Sequence, residues 1–209
     1  MPVLPSHAVL GPIDLLTVVV PALDSACAAW CAGFGLRATE PGRCPDALVL
    51  ALGRRDLLGA RFAGLGWDGQ PQLRLIEAVG TASAAPGRPG WQALALQVAD
   101  LDAALAQAEA AGFERPAAVS DGLSGPWQRR AQLIGPAGER IELLQLRPSG
   151  QPQSATPACI LVRTASRQAS HAIGFLEGLG AARQVFPDTG TDASTDADAG
   201  RSASTLLDL

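Results

Sequence analysis

The sequence predicts an α+β protein made by repeating one strand–helix–strands unit: tandem βαβββ modules followed by a partial third. Three observations carry this. A β-branched run from Ile13 to Val20 precedes Leu23, Ala26, Cys27, Trp30, Cys31 and Phe34, which recur at helical spacing. The same helix start returns later. Val20, Leu23, Asp24, Ala26, Ala28 and Ala32 reappear as Val98, Leu101, Asp102, Ala104, Ala106 and Ala110, each displaced by 78 positions (98 − 20). In a third start, Phe175, Leu179 and Gly180 take the places of Trp30, Phe34 and Gly35, displaced by 145 (180 − 35).

The first unit, residues 12–80, opens with the buried strand 13–20, which Pro21 ends. Asp24 is the expected N-cap of the helix, and Gly33 and Gly35 stop it. Strand pieces are expected at Leu36–Glu40, Ala47–Leu52, Leu57–Phe62 and Gln72–Val79. The Gly/Ala/Pro stretch Gly80–Gly90 reads as a linker. The second unit, 91–147, repeats the order: strand Gln92–Val98, helix Leu101–Ala111, then strands Trp127–Ile134 and Arg140–Leu146 around a turn at Pro136–Gly138. The third, 158–209, offers strand Cys159–Val162, helix Gln168–Leu179, and strands Arg183–Phe186 and Thr205–Leu209 about an Asp/Thr/Ala/Gly loop.

Composition narrows the function classes. With 47% hydrophobic residues over 209 positions, the chain has ample material for a packed core. A net charge of -4 gives no basic footprint, so nucleic acid is not an expected partner. Four cysteines do not make a disulfide scaffold, and Cys27 and Cys31 read as small apolar residues of one helix face. The start of the chain lacks a basic signal-peptide region, and the apolar run from Leu15 to Leu23 is too short to span a membrane. A cytoplasmic protein without a membrane partner is expected.

One strand, a crossing helix and three strands, duplicated with a Val-x-x-Leu-Asp helix start, resembles the vicinal oxygen chelate superfamily of glyoxalases, bleomycin-resistance proteins and extradiol dioxygenases. The segments Val18–Leu36, Gln72–Glu77, Trp91–Glu109 and Gly135–Gln145 carry the likeness, with Gly135 to Leu143 resembling the closing strand. The resemblance implies that residues 12–147 form one domain, a curved mixed sheet around a cleft. It also implies a divalent metal, held by His or Gln from the first strand of a module and Glu from the fourth. Aligned this way, the ligand places hold Leu15, Ala93 and Arg74, and Glu142 alone is of ligand type. A family-type metal is therefore not expected, and no cofactor is assigned. A register one residue different brings Asp14 or Gln92 to the cleft instead.

Strand alternation then puts Arg74 with Ile76, Trp91 with Ala93 and Ala95, and Glu142 with Leu144. We expect Arg74 and Glu142 to approach across the cleft. There the guanidinium either replaces the metal's charge for an anionic ligand or closes a structural ion pair. Trp91, Trp127 and Phe62 are candidate walls. The expected partner is a small organic molecule bound by Arg74, Trp91, Glu142, Leu15, Ala93 and Trp127. The alternatives are a metal-dependent lyase or dioxygenase, or an interaction role for the third unit, whose open sheet edges favour a homodimer.

Other motifs are set aside on mechanism. Gly64-Leu65-Gly66-Trp67-Asp68-Gly69 matches a dinucleotide pattern, but Pro71 and a strand follow where a helix is needed, so it reads as a loop between strands. Asp188-Thr189-Gly190 has no second copy for a carboxylate dyad, and Asp192, Asp196 and Asp198 lack an EF-hand ending. The two histidines, His7 and His171, stand without a nucleophile arrangement.

Overall fold

A computed structural model describes residues 15–67, 69–80, 90–122, 127–147, 160–165, 182–185 and 205–208. In the first module β1 (Leu16–Val20) leads into α1 (Leu23–Phe34), then the two-residue strands β2 (Arg37–Ala38) and β3 (Gly42–Arg43). A short helix α2 (Asp46–Ala51) and a 3₁₀ turn (Arg55–Leu57) precede β4 (Arg61–Gly66) and β5 (Leu73–Glu77). The second module runs β6 (Gly90–Val98), α3 (Leu101–Ala110), β7 (Ser120–Asp121), β8 (Trp127–Ile134) and β9 (Arg140–Leu146). Strands β10 (Ile160–Ala165), β11 (Ala182–Val185) and β12 (Thr205–Asp208) follow. The expected third helix lies outside the described residues. No described helix is long and apolar enough to cross a membrane.

Both modules have the predicted βαβββ connection. In the first sheet the order is β1-β5-β4-β2, with β3 also on β4, and β1 runs parallel to β5. In the second the order is β11-β12-β10-β6-β9-β8-β7, with β6 parallel to β9. The hydrogen-bonded strands therefore form two mixed sheets, one built on each module. The edge of β6 is taken by β10, antiparallel, and the modules meet through their helices.

The sequence explains the helices at their starts. Asp24 is not the N-cap of α1. Ala22 occupies that place without a side-chain bond, and Glu77 Oε1 on β5 accepts the Leu23 N–H at 3.0 Å. In α3, Asp100 caps directly, accepting from the N–H groups of Asp102 and Ala103, while Gln145 Oε1 on β9 faces the Leu101 N–H at 3.4 Å. Asp24 instead pairs with Arg61 at 2.7 Å, and Asp102 pairs with Arg129 at 2.8 Å in the same way. One framework thus serves both modules, supplying acceptors to helix ends that have no partners of their own.

Three assignments differ from expectation; in the first, the strand expected at Leu57–Phe62 begins only at Arg61, after a 3₁₀ turn that ends at Leu57. The apolar run 47–52 is helical: a short run without period is ambiguous, Pro45 sits at the N-cap and Leu and Ala favour helix. Gly64 to Gly66, expected as loop, is the second half of β4. A side chain at Gly66 would collide with the Gln70 carbonyl, so glycine permits the tight return into β5.

A single core joins the modules. Leu73, Leu75 and Leu65 of the first sheet and Leu94, Leu96, Ile141 and Leu143 of the second belong to one buried cluster with Trp30, Phe34 and Phe113. Trp30 meets Phe113 edge-on at 5.5 Å between centroids, and its indole Nε1 donates to Glu139 Oε1 in the β8–β9 turn at 2.8 Å. Trp30→Phe is expected to cost about 2 kcal/mol or more, from the lost donor and the space left behind, measured by denaturant unfolding. Burial pushes the Glu139 carboxyl up, partly offset by hydrogen bonds including that from Trp30. A raised folded-state value means that stability is fully present below the ordinary glutamate range and lost as pH rises through the raised value. The unfolding midpoint of the wild type, relative to Glu139→Gln, is therefore expected to rise as pH falls from neutral toward that range.

Candidate functional site

Alternation along β1 and β5 assigns two faces. Leu16, Val18, Leu73 and Leu75 join the core under the helices. Val19 and Ile76 pack on the other side with Cys44, Val49, Leu57 and Phe62 beneath α2. Thr17 and Arg74 share this outer face, opposite one another in register, and Gly64 lies across from Arg74 on β4. Leu15, 36% exposed, stands at the head of β1.

Arg74 is held from one side. Its guanidinium carbon lies 5.8 Å from the centroid of the Phe62 ring, within cation–π range. Gly42 makes the ring's position possible, because a Cβ there would come within 2.9 Å of it. Burial pushes the nearby Cys44 thiol up, and the charge of Arg74 opposes that rise. Among the described residues Arg74 makes no hydrogen bond or ion pair. Arg37, Arg55 and Arg140 also lack partners there, but all three are exposed, whereas Arg74 is half-buried.

The second sheet carries the equivalent positions. Subtracting positions relates Arg74 to Glu142 (142 − 74 = 68), Gly64 to Gln132 and Phe62 to Arg130 by the same step. Ala95 faces Glu142 as Thr17 faces Arg74. This face is closed: Ala95 is 0% and Glu142 4% exposed. Gln132 Nε2 lies 3.4 Å from Glu142 Oε1 and is one of that carboxylate's partners. Trp127 is buried opposite Leu146 on β9.

The expected site residues are spread over both sheets. Leu15, Arg74 and Phe62 belong to the outer face of the first sheet. Ala93, Glu142 and Trp127 belong to the second, and the common core lies between. Arg74 and Glu142 stand on different sheets, and among the described residues no ion pair or hydrogen bond joins them. The side chains of Trp91 and Gln92, and all of Asp14, lie outside the described residues. Thr17, Gly42 and Cys44 were not singled out in the sequence; a two-residue strand such as β3 leaves no periodic signal.

The residues at the ligand places do not fit a divalent metal. Leu15 and Ala93 offer no donor atom, Arg74 is a cation, and Glu142 stands on a different sheet from Arg74. Among the described residues no group of three or more His, Cys, Asp or Glu side chains is placed to hold one.

A duplicated βαβββ unit with an open sheet face defines a glyoxalase-type fold. The profile of the Glyoxalase/Bleomycin resistance protein/Dioxygenase superfamily matches residues 16–127, and the chain belongs to this superfamily. Among curated proteins none matches. Solved structures share the fold. A glyoxylase/bleomycin resistance protein/dioxygenase domain from Frankia sp. EAN1pec superposes with a TM-score of 0.51 at 17% identity, over 66% of this chain and 99% of that one. A glyoxalase family protein from Bacillus cereus gives 0.52 at 18% identity, over 69% and 99%.

The contrast between the two faces is measurable. Arg74→Ala is expected to change folding stability by no more than about 1 kcal/mol, since only the contact with Phe62 is lost. Glu142→Ala, which strips a buried carboxylate from its partners, is expected to cost about 1–3 kcal/mol. Chemical denaturation of both variants checks the difference.

Proposed function

We propose that the protein binds a small organic carboxylate on the outer face of its first sheet, without a metal. The observation that carries this reading is Arg74, a half-buried guanidinium with no acceptor among the described residues, on the more accessible of the two outer faces. A guanidinium presents planar paired donors that match a carboxylate, and partial burial strengthens the attraction. Phe62 and Val19, both half-buried, supply apolar contact beside it for the body of the ligand. Such a site needs only to bind, which suits sequestration of a small molecule, and no bond-making step is invoked.

Benzoate and its neutral isostere benzamide are suitable probes, observed by ligand-detected NMR. Arg74→Ala is expected to weaken benzoate about tenfold, equivalent to ~1.4 kcal/mol, and to leave benzamide nearly unchanged. Equal effects on the two would remove the ion-pair role. The competing reading, a metal-dependent lyase or dioxygenase, separates by elemental analysis. We expect well under one Ni, Zn, Fe or Mn per purified chain, and a stoichiometric metal lost on Glu142→Ala would overturn metal-free binding.

A further inference from the structure

A second polar side chain stands beside Arg74, at the entry to β5. Leu73 and Leu75 enter the core, Arg74 and Ile76 lie on the outer face, and position 72 continues the outward set. Gln72 occupies it, half-buried. Its N–H donates to the Leu65 carbonyl and its carbonyl accepts the Leu16 N–H, each at 2.9 Å, so β4 and β1 satisfy its main chain. Its side chain is left out. Among the described residues Gln72 Oε1 is the one buried side-chain nitrogen or oxygen without a hydrogen-bond partner.

The fold does not ask for this amide. By the step that relates Arg74 to Glu142, position 72 corresponds to Arg140, which is exposed. The duplicated strand therefore forms without a buried amide at this place. An acceptor buried with no donor costs more than one hydrogen bond returns, and folded chains keep few of them. Gln72 Oε1 lies two residues from the guanidinium assigned to a carboxylate, so a ligand held by Arg74 is within reach of it.

We propose that Gln72 is a second recognition point of the same site and reads a hydroxyl on the carboxylate ligand. The inference rests on the carboxylate reading for the other end of that ligand. A hydroxyl suits the amide in either orientation: it donates to Oε1, or accepts from Nε2 where the amide is turned round. Residues two apart on a strand are separated by about 6.6 Å, close to the span of a benzene ring bearing a carboxylate and a para hydroxyl. The ligand class is thus a carboxylic acid with a hydroxyl at the far end of an apolar spacer. A site built around a buried acceptor also rejects analogues that lack the hydroxyl, because they leave the acceptor unpaired.

The test uses the full chain and two pairs of probes: 4-hydroxybenzoate with 4-fluorobenzoate, and the corresponding benzamides. Fluorine is close to hydroxyl in size but cannot donate. By ligand-detected NMR, wild type is expected to bind 4-hydroxybenzoate about fivefold more tightly than 4-fluorobenzoate, the worth of one net hydrogen bond. Gln72→Leu is expected to abolish that preference. It should also keep the unfolding midpoint of the free protein at or above the wild-type value, since no bond is lost. The benzamides lack the carboxylate and separate the two readings. A Gln72-dependent hydroxyl preference among them, with no effect of Arg74→Ala on the benzoates, fails the carboxylate reading and upholds the role of Gln72. The proposal is overturned if neither hydroxy compound gains over its fluoro counterpart, or if the preference survives Gln72→Leu. A lowered midpoint in Gln72→Leu overturns it too, because the amide would then be a structural partner.

Discussion

The arrangement rests on Trp30. Its ring lies 5.2 Å from that of Phe34 within α1 and 5.5 Å from that of Phe113, just beyond α3, while its N–H is satisfied by Glu139 from the turn between β8 and β9. A large aromatic with a polar handle can be buried only where that handle finds an acceptor. Here the acceptor comes from the other module, so the two modules must close on one another for Trp30 to be buried at all. Closure commits the helix-covered face of each sheet to the shared core. What remains for function is the outer face of each sheet, and the second is already closed over Ala95 and Glu142.

Comparison of the duplicated units shows which positions the fold needs. Asp24 with Arg61 and Asp102 with Arg129 are the same contact made twice, and Glu77 and Gln145 both reach the first N–H of their helix. Helix ends need acceptors whatever the protein does. The outer-face positions diverge instead: Thr17, Phe62, Gly64 and Arg74 in one module correspond to Ala95, Arg130, Gln132 and Glu142 in the other. The two outer faces therefore carry different chemistry.

Much of this was legible in the residues. Helices α1 and α3 follow from apolar spacing, and the alternation of Leu73 and Leu75 against Arg74 and Ile76 is borne out by the two hydrophobic clusters. What the repeat left open was the contact between units. A repeat specifies each module but not whether two modules join by strand edges or by helices. The deciding contact, Trp30 to Glu139, links positions 109 apart, and no local pattern announces it. The course of β4 through two glycines was hidden for another reason: its conformation is imposed by the close return of Gln70 and Pro71, not by the propensity of its own residues.

The unsatisfied groups of the first module are not scattered. Thr17, on the strand that ends the first sheet among the described residues, is the cross-strand partner of Arg74, whose guanidinium has no acceptor there. The carboxylate at the equivalent position, Glu142, lies on the other sheet and makes no ion pair with Arg74 among the described residues. A folded chain ordinarily satisfies half-buried donors with its own atoms, because leaving them unmade costs more than any one bond returns. Among the described residues the framework contacts are made twice over, while the guanidinium of Arg74 is left without an acceptor. An acceptor for that guanidinium is what the carboxylate proposed above would supply.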